Sequence, residues 1–228
     1  MYTIDGTYFV RELYIPNASG NDMDRSGAQG KRDQYIDGMS RLVYKSALGL
    51  ELFQEFDSDP NIIDGIPNTN APIKWQNLVN GTSYRYSGKD YRWQGMISQE
   101  GTFKTSLLAY YTFYRFLYDN DSTMTGTGNK VINTKNTTIV NNTQHLITVW
   151  NEFVKMYRGN CMNHNYYNNK AVVYNYKGVP FYDYFGNENN NYVDLITFLT
   201  HNESNYQNAA KSLYINQEPI IYKNQLGL

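Results

Sequence analysis

The strongest constraint on the fold is the periodic pattern of residues 143–157. Its apolar side chains recur every three or four positions, and they are Leu146, Val149, Trp150, Phe153, Val154 and Tyr157. An α-helix completes a turn in about 3.6 residues, so this spacing puts them all on one face. The segment is therefore predicted to be an amphipathic helix whose apolar face packs against a core.

Weaker versions of this spacing predict further helices. Residues 33–56 carry an apolar stripe, and the run 57–60 is expected to end that helix, because proline disfavours helical conformation in the residue before it. The other helices are predicted at residues 101–120 and 192–200, with a continuation over 203–214. Aromatic residues make up 16% of the chain, so rings are expected to fill much of the core.

Long polar segments separate these helices. Residues 17–30 and 121–141 are predicted to be loops, and residues 60–74, which hold three prolines, are predicted to be a linker without regular structure. A short strand is expected at residues 171–174. Connections in compact domains usually run to about 4–6 residues, so the longer segments are interpreted as arms that order against partners.

Residues 82–96 are predicted to form a β-hairpin around a four-residue turn, Ser87-Gly88-Lys89-Asp90. Aromatic side chains alternate along both of its halves, and they are Tyr84, Tyr86, Tyr91 and Trp93. Such rings are favoured at protein interfaces, so contact with a partner is the preferred interpretation. Packing of one face on the helices, or a platform for stacking sugars, would also explain the pattern.

The fold class predicted from these elements is mainly α (α+β), a helical-bundle core with a β-hairpin insertion and long extended loops. A single domain is expected over residues 1–228, with its helical core at 33–157 and extended arms at 1–30 and 215–228. A short strand is predicted within the first arm at 8–15. The second arm is expected to dock on this subunit or a neighbour through apolar residues, namely Ile220, Ile221, Tyr222, Leu226 and Leu228.

Charge and hydropathy argue against binding to nucleic acid or membranes. The net charge is −1, and the one dense basic pair, Lys31 and Arg32, is followed directly by Asp33. Strong DNA binding usually needs a basic surface that neutralises phosphates. No run approaches about 18 apolar residues, and the first residues lack a signal-peptide pattern. The chain is therefore expected to stay in the compartment where it is made.

No catalytic, cofactor-binding or metal-binding residues are predicted. Cys161 and His164 form half of a zinc pattern at best, and a structural zinc site needs four ligands. As a nucleophile, Cys161 would need an activating base such as His145 or His164. Acidic pairs for a glycosidase could be drawn from two sets, Asp57, Asp59 and Asp64, or Asp183 and Glu188. They are interpreted as helix-end and loop charges, so the chain is not expected to be an enzyme.

A pattern of aromatic and glycine positions runs through the middle of the chain. It consists of residues 75–79 (WQNLV), 84–95 (YRYSGKDYRWQG), 106–111 (SLLAYY), 117–120 (LYDN) and 150–153 (WNEF). This order resembles neck or head–tail connector proteins of tailed phages, in particular those of crAss-like Bacteroides phages. The resemblance covers roughly residues 33–157, and it includes neither the loops at 17–30 and 121–141 nor the region after 158.

The resemblance implies a mostly helical virion protein without catalytic residues. Such adaptors assemble as a ring, usually of twelve copies, that joins the portal to the tail and neck proteins and extends the DNA channel. DNA would pass through without specific binding, and the protein, made in the host bacterial cytoplasm, would end in the virion neck or tail. Two alternatives remain: a carbohydrate- or receptor-binding virion protein using its Tyr and Trp surface, and a small glycoside hydrolase.

Overall fold

The computed structural model describes residues 3–14, 26–100, 103–120, 123–125, 128–130, 143–158, 175–176, 179–180 and 192–210. Within these ranges the chain forms mainly helix with small sheets, which confirms the predicted fold class. The helices are α1 (Ser26–Leu48), α2 (Leu50–Ser58), α3 (Ile73–Asn80), α4 (Leu107–Asn120), α5 (Thr143–Arg158) and α6 (Leu195–His201).

The strands are short and pair mostly with their neighbours in sequence. They are β1 (Ile62–Ile63), β2 (Ile66–Pro67), β3 (Thr82–Tyr86), β4 (Lys89–Trp93), β5 (Ile97–Glu100), β6 (Phe103–Ser106), β7 (Thr123–Thr125), β8 (Gly128–Lys130), β9 (Asn175–Tyr176), β10 (Val179–Pro180) and β11 (Tyr192–Val193). Consecutive pairs form antiparallel hairpins from β1–β2 to β9–β10. β11 joins β4 in parallel, which gives a three-stranded sheet of order β11-β4-β3.

Helix α4 lies at the centre and packs against both α1 and α5. The periodic stripe of α5 faces this core, because Val149, Phe153 and Tyr157 are fully buried. The Phe153 ring lies 5.0 Å from the ring of Tyr111 on α4, centroid to centroid. The amphipathic helix predicted over 143–157 is thereby confirmed.

The helix predicted over 33–56 is two helices, and it begins earlier. Gly49, with φ of 82°, separates α1 from α2, and a Cβ added to it would lie 3.3 Å from the Ala210 side chain. The positive φ and this close contact both favour glycine. Because α1 begins at Ser26, the loop predicted over 17–30 is wrong for its last residues.

Other element predictions are wrong in detail. The supposed linker at 60–74 holds the β1–β2 hairpin and the start of α3. The helix predicted from 101 begins at Leu107 and follows β6, and the loop predicted from 121 contains β7 and β8. After α6 the chain continues in turns up to Ala210 and not in a helix. The strand expected at 171–174 lies outside the described residues.

In the predicted N-terminal arm, the described residues 3–14 pack on the core and do not project from it. Residues 3–14 contain two 3₁₀ turns instead of the predicted strand. Four of their apolar side chains are buried in the main cluster, namely Ile4, Tyr8, Phe9 and Leu13, whereas Val10 and Tyr14 are exposed. The segment 215–228 lies outside the described residues, and the predicted contacts of its five apolar residues stay a prediction. Among the described helices none is both long and apolar enough to cross a membrane.

Candidate interaction surface

The aromatic hairpin has a tighter turn than the sequence suggested. Ser87 and Gly88 alone form the turn, with φ of 48° and 81°, while Lys89 and Asp90 belong to β4. Positive φ at both central residues is the geometry of a type I′ turn, which matches the natural twist of a β-hairpin. The register is therefore fixed, with Tyr84 opposite Tyr91 and Tyr86 opposite Lys89.

The tyrosines of this hairpin face α6 of the same chain. The hydroxyl of Tyr84 hydrogen-bonds with Nδ1 of His201 at 3.0 Å. The ring of Tyr86 stacks on the His201 imidazole with centroids 4.0 Å apart, and Tyr91 lies 4.8 Å from it. Tyr84 also meets the edge of Phe198. One histidine thus sits among three tyrosines at the end of α6.

Electrostatics at this cluster favour neutral groups. Burial lowers the pKa of the His201 imidazole below its usual value. Burial also raises the pKa of the Tyr84 hydroxyl, with a smaller contribution from the negative charge of Asp194. The cluster is therefore a neutral hydrogen-bonded contact at pH 7, and it fixes the hairpin to the helix.

Trp93 does not belong to an exposed surface. Its side chain is only 1% exposed, and its indole Nε1 donates a hydrogen bond of 2.9 Å to the carbonyl of Leu78. Its ring stacks on Phe198 with centroids 5.6 Å apart. Of the four predicted contact residues in the hairpin, Tyr86 is the most exposed, at 40%, while Tyr84 and Tyr91 are half-buried.

The opposite face of the hairpin is polar and borders a groove of about 850 Å³. Arg92 lies over the ring of Tyr192 at 5.2 Å, and both line the groove. On its α5 side, Lys155 approaches Glu152 at 3.3 Å. The residues of β5 and β6 that complete the lining carry mostly amide and hydroxyl groups. The groove mixes apolar walls with paired charges.

A second exposed feature is the tip of the β1–β2 hairpin, formed by Ile63 and Ile66. These residues are directly opposite each other, and they are 64% and 46% exposed. Asp64 and Gly65 make the turn between them with φ of 52° and 74°. In the neighbouring pair, by contrast, Pro67 is buried. The isoleucines therefore sit at the outer end of a partly buried hairpin.

Thr3 fixes this tip to the body of the protein. Its backbone N–H donates to the Asp64 carbonyl at 2.6 Å, and its hydroxyl donates to the Gly65 carbonyl at 3.2 Å. The same hydroxyl lies 3.2 Å from the hydroxyl of Tyr44, which is fully buried on α1. The two exposed isoleucines are thus held in a defined position rather than on a loose loop.

This tip lies within residues 60–74, which the three prolines led us to predict as a linker without regular structure. The signal was nevertheless present, since Asp-Gly between apolar residues is a strong indication of a two-residue hairpin. Ile62 and Ile63 precede Asp64-Gly65, and Ile66 follows. The prolines in the segment concealed the pattern.

Among the residues considered for catalysis, those in the described ranges make hydrogen bonds or ring contacts with neighbouring residues. Asp57 accepts a hydrogen bond of 3.0 Å from Arg41, and Asp59 accepts one of 2.8 Å from the backbone of Asn61. The His145 ring meets the edge of Phe113. Within the described ranges no group of three metal-ligating side chains occurs. Asp64 lies in the β1–β2 turn, and the other candidates, Cys161, His164, Asp183 and Glu188, lie outside those ranges.

Comparisons with known proteins give no match. No protein-family model, no curated protein and no solved structure is significantly similar to the chain.

Proposed function

We propose that this chain is a structural virion protein, a subunit of a head–tail connector or neck ring that joins the portal to the tail. The observation that carries the proposal is the exposed isoleucine pair on the anchored β1–β2 tip. Apolar side chains held rigidly in solvent suit a surface that another polypeptide covers, because burying them on assembly releases free energy.

Further support comes from the spacing of aromatic and glycine residues over 33–157, which resembles such connectors. In the described structure these positions build the hairpin and the core around it, so the pattern corresponds to one packed unit. A ring subunit meets its neighbour through two different faces. The β1–β2 tip and the polar groove are two such surfaces of different chemistry.

The near-neutral charge is compatible with a DNA conduit. A ring that encloses passing DNA must not hold the phosphates tightly, since each neutralised phosphate adds salt-dependent affinity. With a net charge of −1 the chain carries no general attraction for DNA. We therefore propose that DNA passes without specific binding.

A carbohydrate-binding function has less support. Sugar stacking needs flat rings that are open to solvent, whereas Trp93 is buried and the other hairpin rings pack on α6. Among the hairpin rings, Tyr86 alone would be partly open to solvent, and His201 covers one of its faces.

Mass photometry of the purified full chain tests the proposal. We expect one large closed species whose mass is an integral multiple of 26.5 kDa, and twelve copies is the multiple that the resemblance implies. A chain that remains monomeric over the whole accessible concentration range would contradict the proposal.

A further inference from the structure

The outer edge of strand β3 has no partner strand in the described part of the chain. In a hairpin with a two-residue turn, the residues next to the turn exchange both of their backbone hydrogen bonds, and the pattern then alternates. Tyr86, Tyr84 and Thr82 therefore bond to β4. The N–H and C=O groups of Ser83 and Arg85 therefore point away from β4. The Ser83 carbonyl accepts a hydrogen bond of 3.3 Å from the Thr82 hydroxyl, and its second lone pair can accept from a partner strand.

Two of the features that usually protect a strand edge from pairing, a bulge and a proline, do not occur in β3. Exposed edges are commonly blocked by proline, by a bulge or by a charged side chain. β3 pairs with β4 residue for residue over five positions, without a bulge or a proline. Its one charged side chain, Arg85, turns back and donates to the Gly88 carbonyl at 3.3 Å. The side chain is thereby held near the turn.

The edge is also preformed. At the base of the hairpin the backbones of residues 81 and 94 are so close that a Cβ on Gly81 would lie 2.6 Å from the Gln94 carbonyl carbon. On the other side the Tyr84 and Tyr86 rings are fixed by His201. An incoming strand would therefore meet ordered donors and acceptors, which reduces the entropic penalty of binding.

The chain continues for 18 residues beyond Ala210, from 211 to 228. Ala210 itself lies against Gly49 at the α1–α2 junction. At roughly 3.3 Å per extended residue, such a segment can span on the order of 60 Å, which is enough to leave its own subunit. Ile220, Ile221 and Tyr222 are residue types that favour strands, and a proline such as Pro219, directly before them, is tolerated at the start of an edge strand.

We propose that residues 220–226 of one copy add as a strand to the outer edge of β3 in the next copy. The inference rests on the proposed ring function and names the contact that links neighbouring subunits. Strand addition gives affinity through the main chain, and side-chain positions give specificity. Tyr86, partly exposed beside the edge, is placed to contact an apolar side chain of the added strand.

The test uses a chain shortened after Gln217, together with a labelled peptide of residues 218–228. Fluorescence anisotropy is expected to show saturable binding of the peptide to the shortened chain. The Ser83→Pro and Arg85→Pro variants remove one outward donor each and should weaken binding at least tenfold. The Ser83→Ala and Arg85→Ala controls keep the N–H and should bind within about twofold of the parent.

Hydrogen exchange of the peptide fragment that covers 82–86 gives a readout without substitution. Its two outward amides should be protected in the full-chain assembly and should exchange quickly in the shortened chain. Circular dichroism confirms that each variant is folded. The inference would be overturned if the folded shortened chain did not bind the peptide, or if it still assembled.

The outcomes separate this inference from the proposed function. If the full chain forms rings but the shortened chain does so equally well, the strand contact is wrong and the ring proposal stands. If the full chain is monomeric and its β3 amides are nevertheless protected, the segment covers its own subunit. That result would contradict the exchange between copies.

Discussion

Replacing both isoleucines of the β1–β2 tip should weaken assembly without unfolding the protein. The matched pair of variants is Ile63→Thr with Ile66→Thr, and Ile63→Val with Ile66→Val. Valine and threonine have the same shape and the same branching at Cβ, so both suit a strand. They differ in one methyl group, which threonine replaces with a hydroxyl.

The size of the effect follows from the exposed area. The 64% and 46% exposures together amount to about 1.1 side chains that a partner can cover. Loss of a buried methylene costs about 0.8 kcal/mol, so the valine pair should lose about 0.9 kcal/mol per interface. The threonine pair must in addition desolvate two hydroxyls at roughly 1–3 kcal/mol each, which the same exposed fractions reduce to at least about 1.1 kcal/mol per interface. Its dissociation constant should therefore rise by a factor of about 30 or more, against about fivefold for the valine pair.

Sedimentation equilibrium over a dilution series measures both dissociation constants, and thermal unfolding checks the fold. The unfolding temperatures should change little, because substitutions at exposed positions usually alter stability by less than about 0.5 kcal/mol. Equal assembly of the parent and both double variants would refute the assignment of the tip as a contact. A loss of assembly that is the same for the valine and threonine pairs would refute the argument that the hydroxyls are desolvated at the contact.

Three further perturbations test the fold that positions these surfaces. Gly81→Ala should lower the free energy of unfolding by at least about 2 kcal/mol more than Gly88→Ala. Both glycines have positive φ, but only at position 81 would a Cβ lie against backbone atoms. Urea denaturation measures the difference. Lowering the pH below about 6.5 should destabilise the protein, because burial lowers the pKa of His201 in the folded state and the unfolded chain binds more protons there. The dependence of stability on pH should become shallower in the His201→Gln variant. A pH profile that is unchanged in this variant would count against the argument. Thr3→Val keeps the side-chain shape but removes the hydroxyl that bonds Gly65, so it should cost about 1–3 kcal/mol and speed hydrogen exchange at residues 62–67. Hydrogen exchange there equal to that of the parent would show that the Thr3 hydroxyl does not hold the tip.

Elements with strong local patterns could be predicted from the sequence. The 3.6-residue stripe of α5 fixes both its helical state and its buried face, because few other structures satisfy that spacing. The alternating rings of residues 84–93 predict the hairpin for the same reason, with a period of two. Both elements appear where they were expected.

Features that depend on contacts between residues far apart in the sequence could not be predicted. The break at Gly49 reflects contact with Ala210, which lies 161 positions later in the chain. The start of α4 was placed too early because Phe103 stands four residues before Leu107 and so continues the helical spacing. In the structure, the Ser106 hydroxyl accepts from the Leu108 N–H at 3.1 Å, and this cap sets the helix start.

The candidate surface could be predicted from the sequence only in part. Alternation shows that Tyr84 and Tyr86 share a face, but it does not show whether that face meets solvent or another helix. His201, 115 residues after Tyr86, supplies the missing contact. No local pattern around His201 indicates that it contacts the hairpin. The Asp64-Gly65 pair, by contrast, does indicate the turn of the β1–β2 hairpin.

Negative-stain electron microscopy of the purified full chain tests the central claim most directly, because it shows the architecture of the assembly and not only its mass. We expect class averages of closed rings with a central opening, in which every subunit makes the same pair of contacts. Single small particles, or open filaments without rotational closure, would contradict the account of this chain as a connector-ring subunit.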